Sequence, residues 1–173
     1  MSCVIAIVKD KKVWMGCDSF ATTETGERRP ISNEKIFRNG KYLLGFIGSV
    51  RSGQLLDPHY FKPPANILDF PSKVIDIFKE FGVLVTTQNQ TFAQESNILI
   101  ASKGGKLWEL MTDFQLNSIK GYTAIGSGSL FAFGSLHSTE KMSMHPKDRI
   151  LFALEAAAYF DTGTGPPFKV FSI

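Results

Sequence analysis

Directly behind Met1 stands a serine, Ser2, and behind that a cysteine, Cys3. A serine hydroxyl is a poor nucleophile unless a neighbouring base takes its proton. Removing Met1 creates such a base within the same residue. A free α-amine has an unperturbed pKa of about 7.7–8.0, close to working pH, whereas a lysine amine near ~10.4 stays protonated unless strongly desolvated. Ser2 then becomes nucleophile and base together; with Met1 retained the amine is acylated and the site is dead. Cys3 is intrinsically more nucleophilic, but presenting it at the N-terminus takes a second cleavage, and a buried structural thiol is the expectation. His59, His137 and His145 show no metal-ligand spacing and are read as surface histidines, so no metal site is expected. The run Gly126-Ser127-Gly128-Ser129 lacks the lysine that follows the glycines of a phosphate-binding loop.

The elements that hold these residues can be read from apolar patterning. Val4 to Val8 and Val13 to Cys17 are apolar runs on either side of Lys9-Asp10-Lys11-Lys12, which predicts a hairpin buried on both faces. A turn centred on Asp10 sets Ser2 across from Asp18. Beyond a polar stretch from Thr22 to Asn33, Lys35 to Arg38 and Lys41 to Phe46 flank Asn39-Gly40, a dipeptide suited to the positive φ of a two-residue turn. A helix can start at Ser49 to Leu56, but Pro58, Pro63 and Pro64 keep it short, since an interior proline costs about 3 kcal/mol. A fuller helix is predicted from Pro71 to Phe81, stopped by Gly82.

In the second half, Asn97 to Ala101 and Leu107 to Leu110 form a hairpin through Gly104-Gly105, and a strand follows at Tyr122 to Ile125. Gly126 to Ser129 leads into Leu130 to Leu136. Pro146 opens a helix running to Asp161, and a last strand covers Phe168 to Phe171. Strands apolar on both faces need cover on both sides. The predicted fold is therefore α+β: a four-layer α-β-β-α sandwich of two antiparallel sheets.

Size and composition narrow the function. With 173 residues and 43% hydrophobic content the chain closes one substantial core, so residues 1–173 are read as a single domain. The net charge of +3 comes from 19 basic and 16 acidic residues spread along the sequence, unlike the clustered footprint of a nucleic-acid binder. The apolar start is too short for a signal peptide or a membrane span. Two cysteines in a chain without a secretory leader point to the reducing cytoplasm, with no structural disulfide expected.

Several segments, in order and spacing, resemble the proteasome β-subunits and the bacterial HslV peptidase, which are N-terminal-nucleophile hydrolases. In that family the mature chain opens with the nucleophile, followed by an apolar strand, a returning strand and an aspartate. Counting back from Asp18 in Val13-Trp14-Met15-Gly16-Cys17-Asp18 lands the nucleophile on Ser2 without a gap. The family lysine matches Lys35 in Asn33-Glu34-Lys35-Ile36-Phe37, and the oxyanion glycine matches Gly48 in Gly45-Phe46-Ile47-Gly48-Ser49. The Gly-Ser-Gly-Ser turn appears as Gly126 to Ser129, and the late aspartate and hydroxyl as Asp161 and Thr164 ahead of Gly165.

The resemblance implies a role for each of these. Asp18 holds Lys35 by an ion pair, and Lys35 disfavours the protonated form of the Ser2 amine by like-charge repulsion. Ser127, Asp161 and Thr164 orient the amine, and the Gly48 N–H stabilises the oxyanion, a donor worth about 2.7–4 kcal/mol in comparable sites. Ala21, Phe46 and Val50 match the primary specificity pocket, so hydrophobic or small side chains are expected before the cut; Thr22 matches a residue that binds substrate backbone. Also implied are a homo-oligomer of stacked rings with six or seven subunits each, an unfolded-peptide substrate, and a separate ATPase unfoldase as a partner. ATP would enter only through that partner, and peptide hydrolysis itself needs no cofactor.

The chain departs from the family in three places. Serine replaces the usual threonine, which leaves more rotamer freedom to lose and implies slower turnover. With no propeptide expected ahead of Ser2, maturation would rest on an aminopeptidase that removes Met1. The proline-rich stretch from Asp57 to Pro71 replaces a longer first helix. The alternatives are a catalytically silent ring or scaffold subunit and a Cys3-dependent amidase.

Overall fold

The computed structural model describes residues 2–22, 27–86, 91–93 and 96–173. Its elements in chain order are β1 (Val4–Lys9), β2 (Lys12–Cys17), β3 (Phe20–Thr22), β4 (Arg28–Pro30), β5 (Ile36–Asn39), β6 (Tyr42–Ile47), α1 (Val50–Leu55), a 3-10 turn (Ile67–Asp69), α2 (Phe70–Glu80), β7 (Leu84–Thr86), β8 (Thr91–Ala93), β9 (Asn97–Ser102), β10 (Lys106–Leu110), β11 (Leu116–Ile119), β12 (Tyr122–Ile125), α3 (Ser129–Ser138), α4 (Pro146–Phe160) and β13 (Lys169–Ser172). Two antiparallel sheets dominate, one in the order β12-β1-β2-β13 and the other in the order β11-β10-β9-β6-β5.

The alternation along β1 shows why both faces must be covered. Val4 and Ala6 point into the space between the sheets and meet Leu43, Leu99 and Ala101. Ile5 and Ile7 point the other way, where α3 and α4 supply Ala132, Leu136, Ile150 and Leu154. On the far side of the second sheet, Tyr42, Leu44 and Phe46 pack against Phe70, Val74 and Phe78 of α2. The layers thus run α3/α4, sheet, sheet, α1/α2, the sandwich the apolar runs predict. Proline opens α4 at Pro146, where the His145 ring accepts from the Lys147 N–H at 3.2 Å. Gly82 takes a φ of +68° where α2 stops.

Two turns differ in register from the sequence reading. In the first hairpin Asp10 and Lys11 together form the turn, at φ +52° and +57°, and Lys9 pairs with Lys12. Val4 then faces Cys17, and the residue beside Asp18 is Cys3 rather than Ser2, joined by Asp18 N–H to Cys3 C=O at 3.3 Å. In the second hairpin the loop is Gly40-Lys41, because Asn39 pairs with Tyr42. Asn39 is buried, and its amide nitrogen donates to the carbonyls of Leu56 and Phe61, each at 2.8 Å. A tertiary contact that pins the proline-rich segment thus overrides the local turn signal.

Candidate active site

Strand β1 begins at the inter-sheet end where Ser2 sits, and three neighbouring segments converge on it. Asp18 directly follows β2, Lys35 directly precedes β5, and the turn from Gly126 to Gly128 joins β12 to α3. Lys35 is held by its own backbone, whose carbonyl accepts from the Phe46 N–H at 3.0 Å. Its Nζ donates to Asp18 Oδ1 at 2.7 Å and to Ser2 Oγ at 2.9 Å.

The Asp18 carboxylate is fixed from both oxygens: Oδ1 also accepts from the Cys3 N–H at 3.0 Å, and Oδ2 from the Phe20 N–H at 3.1 Å. Asp18 is 1% exposed and Lys35 5%. A buried ion pair survives desolvation only with this kind of complete hydrogen bonding. The pair therefore places a fixed cation against the Ser2 hydroxyl.

A second chain of contacts reaches the Ser2 nitrogen. That nitrogen donates to Ser127 Oγ at 3.1 Å, and the Ser127 hydroxyl donates to Asp161 Oδ2 at 2.9 Å. The same carboxylate oxygen accepts from Thr164 Oγ1 at 2.6 Å. Asp161 is the residue that ends α4, so the helix terminus and the loop after it build this arm.

The glycines of the turn have a steric reason. Gly126 has a φ of +102°, and a Cβ there would lie 2.2 Å from the Ser2 carbonyl oxygen. A Cβ on Gly128 would lie 2.8 Å from Thr164 Oγ1 and 3.1 Å from the Cys3 Cβ. Only glycine lets the turn approach the start of β1 so closely, and the Gly128 N–H uses that approach to donate to the Ser2 carbonyl at 3.3 Å.

In front of Ser2 lies a narrow pocket of about 50 Å³. Gly48, with a φ of +95°, lies on its rim with Lys35. Ala21, Thr22, Phe46 and Val50 line it too, so every residue matched to substrate binding faces this space. The sequence reading missed Phe20, Ile31 and Asn33 in the same lining. Phe20 and Ile31 belong to or flank the short β3–β4 hairpin, which the polar stretch before Asn33 did not reveal. Thr22 Oγ1 is buried and lacks a hydrogen-bond partner among the described residues. Past Asn33, Phe46 and Val50 a larger hollow of about 490 Å³ opens toward Glu34, Asp57 and Tyr60.

Cys3 and Cys17 are free and buried. Burial raises the Cys3 thiol far above its ordinary range, and the nearby Asp18 and Asp161 charges raise it further. Burial pushes the Cys17 thiol up to about 12 despite the opposing charge of Lys35. Both side chains therefore stay protonated and inert. Met1, whose removal the sequence leads one to expect, lies outside the described residues. Among the described residues no cluster of three metal-ligating side chains occurs, and no helix is long and apolar enough to cross a membrane.

No family model matches the chain, and no curated protein matches it. Solved structures do. BPH from Thiobacillus denitrificans, determined in complex with epoxomicin, aligns with a TM-score of 0.80 at 22% identity, over 99% of this chain and 97% of that one. A eukaryotic HslV from Trypanosoma brucei aligns at 0.71 and 18% identity, over 98% of both chains. An Anbu (Gly-1) mutant from Hyphomicrobium sp. strain MC1 aligns at 0.73 and 12% identity, over 98% of this chain and 80% of that one. The chain thus has the proteasome-like, HslV-like fold that its sequence resembles.

Proposed function

We propose that the protein is a peptidase that cleaves unfolded polypeptides through Ser2 once Met1 has been removed. The observation that carries this reading is the double contact on one residue: Lys35 Nζ at 2.9 Å from the Ser2 hydroxyl, and Ser127 Oγ at 3.1 Å from the Ser2 nitrogen. With Met1 gone, that nitrogen is an α-amine. The Lys35 charge favours its neutral, basic form, and Ser127, itself oriented by Asp161, fixes its direction. The amine takes the Ser2 hydroxyl proton as Oγ attacks the scissile carbonyl. The Gly48 N–H stabilises the resulting oxyanion. The amine then returns the proton to the leaving nitrogen as the C–N bond breaks, leaving an ester on Ser2 that water hydrolyses by the same route.

Substrate recognition follows from the pocket lining. Ala21, Phe46 and Val50 favour small or hydrophobic side chains before the cut, and the unpartnered Thr22 hydroxyl supplies a hydrogen bond to substrate backbone. Clear preference for charged residues in a peptide library would overturn this.

Assembly into stacked homo-oligomeric rings of six or seven subunits, fed by a separate ATPase, is the accompanying proposal. An exposed aromatic face on α3 and α4 supports self-association: Tyr159 is 83% exposed and Phe160 64%, with the Phe131 and Phe160 rings stacked at 5.2 Å. A Phe131→Glu, Phe160→Glu variant is expected to fall to a smaller species in light scattering; an unchanged mass would remove this face from the assembly.

The decisive experiment is intact mass before and after incubation with epoxomicin, a peptide epoxyketone whose ring adduct needs both the hydroxyl and a free α-amine. Loss of Met1 with an adduct on Ser2 is the expected result. Retained Met1 without an adduct would leave a silent ring subunit, and loss of Ser2 as well would point to Cys3. The buried, strongly protonated Cys3 thiol argues against that last outcome.

A further inference from the structure

The basic residues are dispersed in sequence but gathered in space. β1 leaves Ser2 and ends at Lys9, and the strand registers put the turns β1–β2, β5–β6, β9–β10 and β11–β12 together at the opposite end of the sandwich. Those turns and their flanks carry Lys9, Lys11, Lys12, Lys41, Lys103, Lys106 and Lys120, all exposed, against a lone carboxylate, Asp10.

The turns form a continuous surface. A Cβ on Gly105 would lie 3.0 Å from the Lys11 Cα, so the hairpins of the two sheets touch there. The Val8 N–H donates to the Gly121 carbonyl at 2.6 Å, which brings the Lys120 turn against β1. Lys41, Lys103 and Lys106 share the rim of a hollow of about 390 Å³ whose wall includes Ile67 and Trp108. Among the described residues none of these lysines forms an ion pair, in contrast to Lys35 and Lys169. Like charges so grouped repel one another and attract anions.

We propose that this basic pole docks an acidic, partly apolar segment of another protein. Two features select that chemistry. The turns use lysine throughout and no arginine, whereas phosphate recognition favours the bidentate arginine fork. The hollow also offers apolar wall beside the ammonium groups, which suits leucine or phenylalanine side chains set between carboxylates. The pole lies at the other end of the molecule from Ser2, so the docking is independent of the proposed peptidase reaction.

The test is fluorescence anisotropy of a short labelled peptide of alternating Glu and Leu, with oligothymidylate and phosphatidylserine vesicles as competing probes. Binding is expected to weaken with added salt and to quench or shift Trp emission in a way that Trp108→Phe abolishes. The variant Lys11→Glu, Lys103→Glu, Lys106→Glu is expected to bind about tenfold or more weakly, the sum over three exposed charge pairs. Lys73→Glu, Lys79→Glu on α2 makes two-thirds of the same change in net charge away from the turns and should change binding less than about twofold. Circular dichroism confirms that both variants fold. Equal losses in both variants, no peptide binding at all, or tighter binding of the oligonucleotide or the vesicles would each overturn the proposal.

Discussion

Lysine occupies both ends of this sandwich, in opposite physical states. At one end Lys35 is 5% exposed, its ammonium shared between Asp18 and Ser2. At the other, Lys11, Lys103 and Lys106 stand in water. A charge in low dielectric acts strongly on the few atoms it touches and is costly to strand, whereas solvated charges act weakly and together, as a field screened by salt. Chemistry at a single bond needs the first arrangement, and reversible docking is served by the second.

The sharpest way to break this contrast is to remove one lysine from each end. Lys35→Met is expected to lower the proposed peptidase activity by about 10²–10⁴-fold, the range of groups that govern proton transfer. It should also destabilise the fold by about 3–5 kcal/mol, because Asp18 remains buried without its cation. Adding Asp18→Asn should recover most of that stability while activity stays lost. Lys103→Met, by contrast, should leave both within about 0.5 kcal/mol of the parent. Thermal melts and kcat on one reporter peptide measure all of these, and equal effects at the two ends would dissolve the distinction.

Titration sharpens the contrast at the buried end. An unfolded thiol ionises near its ordinary value of 9.0, but burial holds folded Cys17 protonated up to about 12. Within that window the unfolded state binds fewer protons than the folded one, so stability must fall as pH rises, by at most about 1.4 kcal/mol per pH unit for one thiol. Below the window this contribution is fully present. The slope of denaturation midpoint against pH is expected to flatten in Cys17→Ala; a slope unchanged by the substitution would show that the thiol is not held protonated by burial.

A smaller effect is expected from a side chain that reaches Ser2 only through another residue. Asp161 touches neither Ser2 atom, and acts through the Ser127 hydroxyl. Asp161→Asn keeps an acceptor but loses the charge, a difference of about 1.5 kcal/mol for a charge-assisted bond. An approximately tenfold fall in kcat with KM unchanged is expected, together with an altered pH profile for the Ser2 amine. A fall confined to stability would make Asp161 a helix terminator and nothing more.

Sequence legibility also divides between the two ends. The doubly apolar runs of β1 and β2 announce a sheet covered on both faces, and Pro146 and Gly82 mark helix ends, since these signals are local. Asn39 misleads because its side chain serves carbonyls distant in sequence, those of Leu56 and Phe61. The hairpin β3–β4, with Arg28, Arg29 and Pro30 on one strand, carries no apolar alternation, so its contribution to the pocket went unread. The residues around Ser2 stand out in the sequence because their spacing resembles a known family; their distances follow only from the fold. The basic pole was hidden because its lysines are scattered along the sequence and only the strand registers assemble them.

The smallest predicted effect bears on how rigid the buried end is. Ser2→Thr adds a methyl that restricts χ1. If the serine hydroxyl still samples rotamers before attack, removing roughly 0.5 kcal/mol of that freedom should raise kcat about two- to threefold. The measurement is kcat for both proteins on one peptide, with mass spectrometry establishing equal loss of Met1. Lys35 Nζ, however, already sits 2.9 Å from Ser2 Oγ. An unchanged kcat in fully matured protein would mean that this contact alone fixes the hydroxyl, so that the buried lysine supplies the order that threonine would supply by its methyl.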